Sequence, residues 1–285
     1  MISPPESTSL PAVIAWIDIP SPQGSWGHPD ELALPLSDRG LLLADGLFET
    51  LLIEAGQPHL LSAHLDRWHR SAALLGLAPP PNQARLVPLI TEAVTRSGIT
   101  SGALRLNWTR GSSGRGLAVP LHSTHRFWLS LSAATACFEP VHVIVSPSET
   151  RSATSLLSRC KTFAYGSAIQ ARRQAAASGA DDALLPSSSG GLCCGTSANL
   201  LLRRGGRWLT PPLSSGCLPG VMRQQALRHG LAKERPISEQ DLVRGDGALL
   251  LNSLGCRPIS QVGAKPLPSV SQVKQFWRQL LSPAR

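Results

Sequence analysis

Apolar positions along the 285-residue chain follow two periods, and the segments with each period are mixed irregularly. A period of two, or a short apolar and β-branched run, predicts a strand. These runs are AVIAWIDI (12–19), ALRLNWTR (103–110), RFWLSLSA (126–133), VHVIVSP (141–147), DALLP (182–186), GLCCGTS (191–197) and ALLLNS (248–253). Two further stretches predict hairpins, LFETLLIEAGQPHLL (47–61) and ANLLLRRGGRWLTPP (198–212), the second turning at Gly205-Gly206.

Helical periodicity and capping residues predict the remaining elements. Ser62 is the expected N-cap of the helix AHLDRWHRSAALLG, and Asn82 that of the next helix, QARLVPLITEAVTRSG. Further helices are predicted over KTFAYGSAIQARRQAAASG (161–179), near GVMRQQALRHG, after Ser238 and around SQVKQFWRQLL. This irregular mixture favours an α+β fold. The break AATACFE suggests a smaller N-terminal domain (1–133), a linker (134–139) and a larger C-terminal domain (140–285).

Composition narrows the function classes. Hydrophobic residues make up 42% of the chain, which supports a sizeable core. No apolar run reaches the roughly 18–20 residues of a membrane helix, and the N-terminus lacks a basic start, so we expect a cytoplasmic protein without a membrane partner. The six cysteines have no zinc spacing and are expected to be reduced, and no metal site is predicted.

The net charge of +9 allows an acidic substrate, an anionic membrane or nucleic acid as a partner. The arginines are spread along the chain and form no basic tail, which is also what an arginine-rich proteome would produce. Among binding partners, the pattern favours a small anionic substrate over nucleic acid.

Lysine usage singles out one position. Residues 1–160 contain no lysine, and only Lys233, Lys265 and Lys274 follow Lys161. A lysine in a desolvated place loses proton affinity, and its neutral amine can form a Schiff base with an aldehyde cofactor. The alternative for Lys161 is a surface lysine at the start of a helix.

Three stretches could hold a phosphate group on such a cofactor. SSGCLPGVMRQQAL is a turn running into a helix, with the amides of Val221 and Met222 in the first turn, where anions bind. HLDR places Arg67 on a helix, where it could pair with phosphate or simply lie exposed. NSLG offers Asn252 and Ser253 at a strand end.

Seven segments in order resemble the fold-type IV pyridoxal-phosphate enzymes, the architecture of D-amino acid aminotransferases, from about residue 36 to 262. They are SDRGLLLADGLFET, HLLSAHLDRW, NWTRGSSGRG, KTFAYGSAIQARRQAAASGADDALL, GTSANLLL, WLTPPLSSGCLPGVMRQ and LLLNSLGCRPI. Within this group, GQPHLLSAHLDRW and TRGSSGRG are similar to the 4-amino-4-deoxychorismate lyases. Met222 also stands where the aminotransferases usually carry threonine.

The resemblance implies a role for each candidate residue. Lys161 would be the catalytic residue that binds pyridoxal 5'-phosphate, and Tyr165 would reach the cofactor's phenolic oxygen. The phosphate would be held by Arg67, Val221, Met222, Asn252 and Ser253. Arg110 and Arg115, on the glycine-rich loop, would approach a substrate carboxylate, whereas Asp45 is expected to cap a turn. The resemblance also implies a homodimer whose active sites are completed by the neighbouring subunit.

Cys194 departs from the family pattern. The family normally has a glutamate there, five residues before the asparagine of GTSANLLL, which keeps the pyridine nitrogen protonated. A neutral thiol cannot do this as a carboxylate does. Either the reaction tolerates a weaker electron sink because an aromatic product forms, or another acid reaches the nitrogen, or the chain has lost the chemistry.

Three functional hypotheses are compatible with these features of the sequence. The favoured one is a lyase that releases pyruvate and 4-aminobenzoate for folate synthesis. The second is a class IV aminotransferase acting on branched-chain or D-amino acids. The third is a non-catalytic protein of the same fold that binds a partner or the cofactor.

Overall fold

A computed structural model describes residues 12–19, 23–113 and 115–282. The N-terminal part forms a six-stranded antiparallel sheet in the order β2-β1-β6-β5-β3-β4. Its strands are β1 (Val13–Ile17), β2 (Ser25–Gly27), β3 (Gly46–Glu54), β4 (Gln57–Pro58), β5 (Gly102–Thr109) and β6 (Arg126–Ala133). The predicted strands and the first hairpin are confirmed, and β2 adds an edge strand inside a stretch expected to be loop.

Three helices belong to the same part of the chain, α1 (Arg39–Leu43), α2 (Leu61–Leu74) and α3 (Gln83–Ser97). The apolar faces of α2 and α3 meet those of β3, β5 and β6 in one core, which includes Trp68, Ile90, Leu104, Leu106 and Phe127. Burial of these apolar side chains, which recur at helical spacing in α2 and α3 and at strand spacing in the sheet, holds the two helices on the sheet.

The cap of α2 differs from the prediction. Asn82 caps α3 as expected, and its Oδ1 accepts a hydrogen bond from the amide of Arg85. However, α2 begins at Leu61, after Leu60 in a left-handed conformation, and Ser62 lies inside the first turn. The β3–β4 hairpin ends just before α2, and no side chain caps the N-terminus of this helix.

The C-terminal part forms a nine-stranded mixed sheet, in the order β12-β11-β10-β13-β14-β7-β8-β9, with β15 paired to β14. Its strands are β7 (Val141–Val145), β8 (Asp182–Pro186), β9 (Leu192–Gly195), β10 (Asn199–Arg204), β11 (Arg207–Thr210), β12 (Ala232–Glu234), β13 (Gly247–Asn252), β14 (Gly255–Val262) and β15 (Lys265–Pro266). β9 also pairs with β10, where Asn199 lies opposite Cys194. The six strands β7, β8, β9, β10, β13 and β14 therefore close into a ring.

Four helices accompany this sheet, α4 (Gly166–Ala177), α5 (Val221–Arg228), α6 (Glu239–Val243) and α7 (Val273–Gln279). Ser238 caps α6 as predicted. α4 begins five residues after the predicted start, so Lys161 precedes the helix rather than opening it. β14 was not predicted as a strand, because Pro258 and polar residues interrupt its apolar pattern.

The predicted linker 134–139 connects the two sheets. The amide of Cys137 donates to the carbonyl of Leu254, just before β14, and its carbonyl accepts from the amide of Cys256 in β14, so this stretch is tied to the second sheet. The division into two domains at this point stays a prediction. Within the described ranges, no helix is long and apolar enough to cross a membrane. All six cysteines are unpaired thiols.

Candidate active site

A cavity of about 680 Å³ lies where the two sheets face each other. Phe48, Thr50 and Arg105 line it from the first sheet, and Leu185 and Leu251 from the second. The structure brings eight of the ten predicted site residues to its wall, namely Arg67, Lys161, Tyr165, Cys194, Val221, Met222, Asn252 and Ser253. They belong to five separate segments of the sequence, so the fold brings distant positions together at one place.

The backbone around Lys161 is fixed against β3 of the N-terminal sheet. The amide of Phe48 donates to the carbonyl of Lys161 at 2.9 Å, and Thr162 forms a β-bridge with Leu47. Leu47 is a fully buried core residue. Lys161 is therefore held at the seam between the two sheets rather than on a free loop.

The Lys161 amine lies among aromatic rings. Its Nζ is 3.2 Å from the hydroxyl of Tyr165 and 4.3 Å from the ring centroid of Phe48. Burial lowers the pKa of this amine to about 7, and the nearby charges of Arg67 and Arg105 act in the same direction. A large fraction of the amine is thus neutral and nucleophilic near neutral pH.

An anion-binding corner faces the amine at the start of α5. Val221 and Met222 occupy the first turn, whose N–H groups have no acceptor within the helix. Gly220 precedes them because a Cβ there would lie 1.9 Å from Oδ1 of Asn199. Asn199 in turn donates from Nδ2 to the carbonyl of Leu218 at 2.9 Å and so fixes the turn. The geometry suits a phosphate group.

Arg67 reaches this corner as half of a buried ion pair. Its Nε donates to Oε1 of Glu49 at 2.8 Å, its Nη2 donates to Oε2, and its Nη1 donates to the carbonyl of Pro219 at 3.3 Å. Both side chains are at most 5% exposed. Although burial alone would raise it, the pKa of Glu49 is lowered to about 2 by Arg67 and His64. Glu49 was not predicted as a site residue, and it lies in a largely apolar strand.

His64 connects the ion pair to the β13–β14 turn. Its Nδ1 lies 2.7 Å from Oε2 of Glu49, and its Nε2 lies 3.2 Å from the hydroxyl of Ser253. His64 was also missed, although its spacing of three residues from Arg67 places both on one face of α2.

Cys194 lines the cavity from β9, opposite Asn199. The lining residues within the described part of the chain include no aspartate or glutamate. The carboxylate of Asp182, on the adjacent strand, is engaged by Arg172 at 2.8 Å and by Thr196. The expectation that another acid replaces the missing glutamate therefore receives no support from the cavity wall.

Two unpredicted arginines give the cavity its charge. Arg105 extends from β5, with its guanidinium carbon 3.6 Å from the ring centroid of Phe48 and its Nε donating to Asn107 at 2.7 Å. Arg151 lines the wall from the loop after β7 and donates to the carbonyls of Gly216 and Ser158. Together with Arg67 and Lys161 they suit an anionic ligand.

Arg110 and Arg115 do not line the cavity of their own chain. Arg110 is buried and donates to Asp45 and to the carbonyls of Leu75 and Gly76 at the end of α2. This network occupies the guanidinium, so the expectation of a substrate contact within the chain is not met. Arg115 is exposed on the loop between β5 and β6. Asp45 bridges Arg110 and Arg39 instead of capping a turn.

Comparisons with known proteins agree with this arrangement. Residues 46–262 match the amino-transferase class IV family. An 89-residue stretch is 42% identical to the bifunctional aminodeoxychorismate lyase / D-amino acid transaminase of Mycobacterium tuberculosis, covering 30% of this chain and 28% of that protein. The match thus spans less than a third of that relative.

Two solved structures share the fold over nearly their whole length. The 4-amino-4-deoxychorismate lyase of Pseudomonas aeruginosa is 28% identical, with a TM-score of 0.77 over 93% of this chain and 97% of that one. The PLP-bound form of a hypothetical aminotransferase from Mycobacterium tuberculosis is 25% identical, with a TM-score of 0.80 over 94% and 97%.

The Lys161 amine should react with acetic anhydride in a pH-dependent way that reports its burial. Brief labelling followed by peptide mass spectrometry should give half-maximal acetylation of Lys161 at about pH 7, because only the neutral amine reacts. The control is the urea-unfolded chain, in which the midpoint should return to about 10.4. Equal midpoints in the folded and unfolded chains would contradict the desolvated site.

Glu49→Gln should lower the free energy of unfolding by about 3–5 kcal/mol, because it leaves the Arg67 charge buried without its partner. Urea titration followed by tryptophan fluorescence measures this. The matched control is Glu92→Gln, which breaks the exposed pair with Arg96 and should cost less than about 1 kcal/mol.

The Glu49 ion pair should also make stability depend on pH. Because the folded-state pKa of Glu49 is depressed, its contribution is present above about pH 4.5 and is lost as the pH falls toward about 2. Similar losses of stability in Glu49→Gln and Glu92→Gln, with unchanged acid profiles, would show that the pair does not hold the site together.

Proposed function

Because the chain belongs to the amino-transferase class IV family, whose cofactor is pyridoxal 5'-phosphate, we propose that it is a 4-amino-4-deoxychorismate lyase. It would release pyruvate and leave 4-aminobenzoate, a precursor in folate synthesis. The observation that carries the proposal is the cavity wall, which presents Arg67, Arg105, Arg151, Lys161 and the Cys194 thiol without a carboxylate in the described lining. A substrate with two carboxylates suits that charge.

The cofactor fits the residues that are present. Lys161 offers an amine of depressed pKa to the aldehyde, and the first turn of α5, Arg67 and Ser253 offer donors to the phosphate. The Tyr165 hydroxyl lies 3.2 Å from the Lys161 amine, so it can donate to an oxygen of the cofactor ring beside that amine. When bound, pyridoxal phosphate withdraws electrons from the substrate carbon that bears the amine.

The chain's own groups then carry the proton steps. With a pKa of about 7, the Lys161 amine is neutral in a large fraction of molecules near neutral pH, and its Nζ would accept the proton from the substrate carbon that bears nitrogen. The Phe48 and Tyr165 rings beside it exclude water, which keeps the amine a general base. The arginines of the wall hold the carboxylates and so fix the orientation of the substrate.

Cys194 favours the lyase over the aminotransferase. A thiol does not hold a proton on the pyridine nitrogen as a carboxylate does, so it gives a weaker electron sink. A lyase that forms an aromatic ring gains driving force from its product, whereas transamination must stabilise the carbanion without that help. Met222 in the first turn of α5 is a second difference from the aminotransferase pattern.

Aminotransferase activity is the second candidate, because one relative combines both activities in its name. It would use the same lysine and cavity, with a branched-chain or D-amino acid as donor. The discriminating observation is the spectrum of the cofactor-loaded protein. A change on adding an amino acid alone supports transamination, whereas a change only with aminodeoxychorismate supports the lyase.

The reaction is tested with purified, cofactor-loaded protein and aminodeoxychorismate. We expect equal amounts of pyruvate and 4-aminobenzoate, measured by coupled lactate dehydrogenase and by chromatography. Lys161→Ala should lower kcat by at least about 100-fold, since it removes both the covalent link and the general base. Loaded wild-type protein that releases neither product would contradict the proposal.

Arg105→Gln should raise KM for aminodeoxychorismate about 10- to 100-fold, because a charge-assisted hydrogen bond to a carboxylate contributes roughly 1.5–3 kcal/mol. Steady-state kinetics measure the effect, with cofactor absorbance as a check of loading. Arg115→Gln is the control and should change KM by less than about twofold. A larger effect at Arg115 than at Arg105 would favour the assignment made from the sequence.

We also propose that the protein is a homodimer, in which a second copy of the chain covers an apolar surface beside α1. We call this surface the leucine patch, and its exposed members are Leu36, Leu41, Leu42, Leu43, Leu117, Val119 and Leu121. Arg39 joins its two segments by donating to the carbonyls of Gly116 and Ala118. Exposed apolar patches of this kind mark interaction sites.

The double variant Leu42→Glu/Leu117→Glu should convert a dimer into a monomer in sedimentation equilibrium, because it places two charges in a buried apolar contact. The control is Val243→Glu, an equally apolar exposed residue on α6, which should leave the dimer intact. Wild-type protein that sediments as a monomer at all concentrations would contradict the homodimer.

A further inference from the structure

His64 is a buried titratable group that the proposed reaction does not use. Its side chain is 1% exposed and lies between the carboxylate of Glu49 and the hydroxyl of Ser253, at 2.7 and 3.2 Å. Ser253 lines the cavity, so His64 is one residue removed from whatever binds there.

The neighbours of His64 determine where its hydrogen lies. The pKa of Glu49 is lowered to about 2, so its carboxylate is ionised and can only accept. Nδ1 of His64 therefore carries a hydrogen and donates to Glu49. Burial holds the pKa of His64 below its ordinary value, which leaves Nε2 without a hydrogen near neutral pH. In this state the Ser253 hydroxyl donates to Nε2.

A Ser253 hydroxyl that donates its hydrogen to His64 cannot also donate it to a phosphate. The oxygens of a phosphate dianion only accept hydrogen bonds, and a serine hydroxyl has a single hydrogen to donate. While Ser253 donates to His64, it presents lone pairs to the cavity. If it turns its hydrogen to a phosphate, the buried Nε2 of neutral His64 loses its donor. Both contacts are satisfied together only when Nε2 carries a hydrogen.

We propose that His64 is a proton-linked positioning residue for the phosphate of the cofactor. On binding of the dianion beside Ser253, Nε2 of His64 takes up one proton from solvent. The imidazolium then donates to Ser253 Oγ, and Ser253 donates its own hydrogen to the phosphate. No covalent bond changes, and one proton is consumed for each phosphate bound.

The charges around His64 support this coupling. Glu49 on β3 and Arg67 on α2 largely cancel each other, and the Lys161 amine, before α4, is mostly neutral above its pKa of about 7. The charged groups that act on His64 therefore carry little net positive charge for a dianion beside Ser253, and the imidazolium would add one. The inference rests on the cofactor of the family and is independent of whether the enzyme is a lyase or an aminotransferase.

The test uses 4-deoxypyridoxine 5'-phosphate, a phosphate ester without an aldehyde, so that it cannot condense with Lys161. Protein labelled with nitrogen-15 at histidine is titrated at about pH 8, above the ordinary range of histidine. Long-range proton–nitrogen NMR should show one imidazole changing from a neutral ring, protonated at Nδ1, to an imidazolium at saturation. His64→Gln identifies that signal by its loss.

Calorimetry in two buffers of different ionisation enthalpy counts the protons. Wild-type protein should take up about one proton more per bound ester than Ser253→Ala, in which the link between His64 and the phosphate is cut. The matched control is Ser167→Ala, an exposed serine on the wall of the same cavity, which should keep the wild-type proton count.

The outcomes separate this inference from the cofactor assignment. If the ester binds while His64 stays neutral, or if Ser253→Ala weakens binding without changing the proton count, the inference is wrong and the cofactor site stands. If the ester does not bind at all, both are wrong. The wild-type spectra and the Ser253→Ala calorimetry decide the question without requiring His64→Gln to fold.

Discussion

The removal of one amine from water is the constraint on which the rest of this structure depends. Lys161 is fixed by its backbone at the seam of the two sheets, and its Nζ lies against Phe48 and Tyr165. Desolvation brings its pKa to about 7, which makes an otherwise cationic side chain nucleophilic. The ring closed by Cys194 and Asn199 and the turn before α5 place the anion corner beside that amine.

Charge in the cavity is arranged in two layers. The Glu49–Arg67 pair and His64 form a buried layer that is internally compensated and holds side chains in place. Arg105 and Arg151 face the cavity without a carboxylate partner in the described lining, so their charge is available to a ligand. Rigid, prearranged charge of this kind orients a substrate without reorganisation during the reaction.

Much of the fold and the place of Lys161 in the cavity wall could be predicted because the signals are local. Strand period, the Asn82 and Ser238 caps and the Gly205-Gly206 turn are each written within a few residues. Lys161 stood out because the chain contains so few lysines, and the resemblance to a known family supplied the residues around it that we propose to bind a phosphate.

The parts that could not be predicted depend on contacts between distant segments. Glu49, His64 and Arg105 acquire their roles only when β3, α2 and β5 meet, and nothing in their local sequence distinguishes them from ordinary polar positions. The buried network of Arg110 could not be predicted for the same reason, because the Asp45 carboxylate and the end of α2 that engage it lie far away in sequence. The strand β14 was not predicted because Pro258 interrupts the alternation of its apolar residues.

The most direct measurement of the central claim is borohydride reduction of the protein in the presence of pyridoxal phosphate, followed by peptide mass mapping. The account predicts one stable adduct per chain, on the peptide that contains Lys161. An adduct spread over Lys233, Lys265 and Lys274, or no adduct at all, would contradict it.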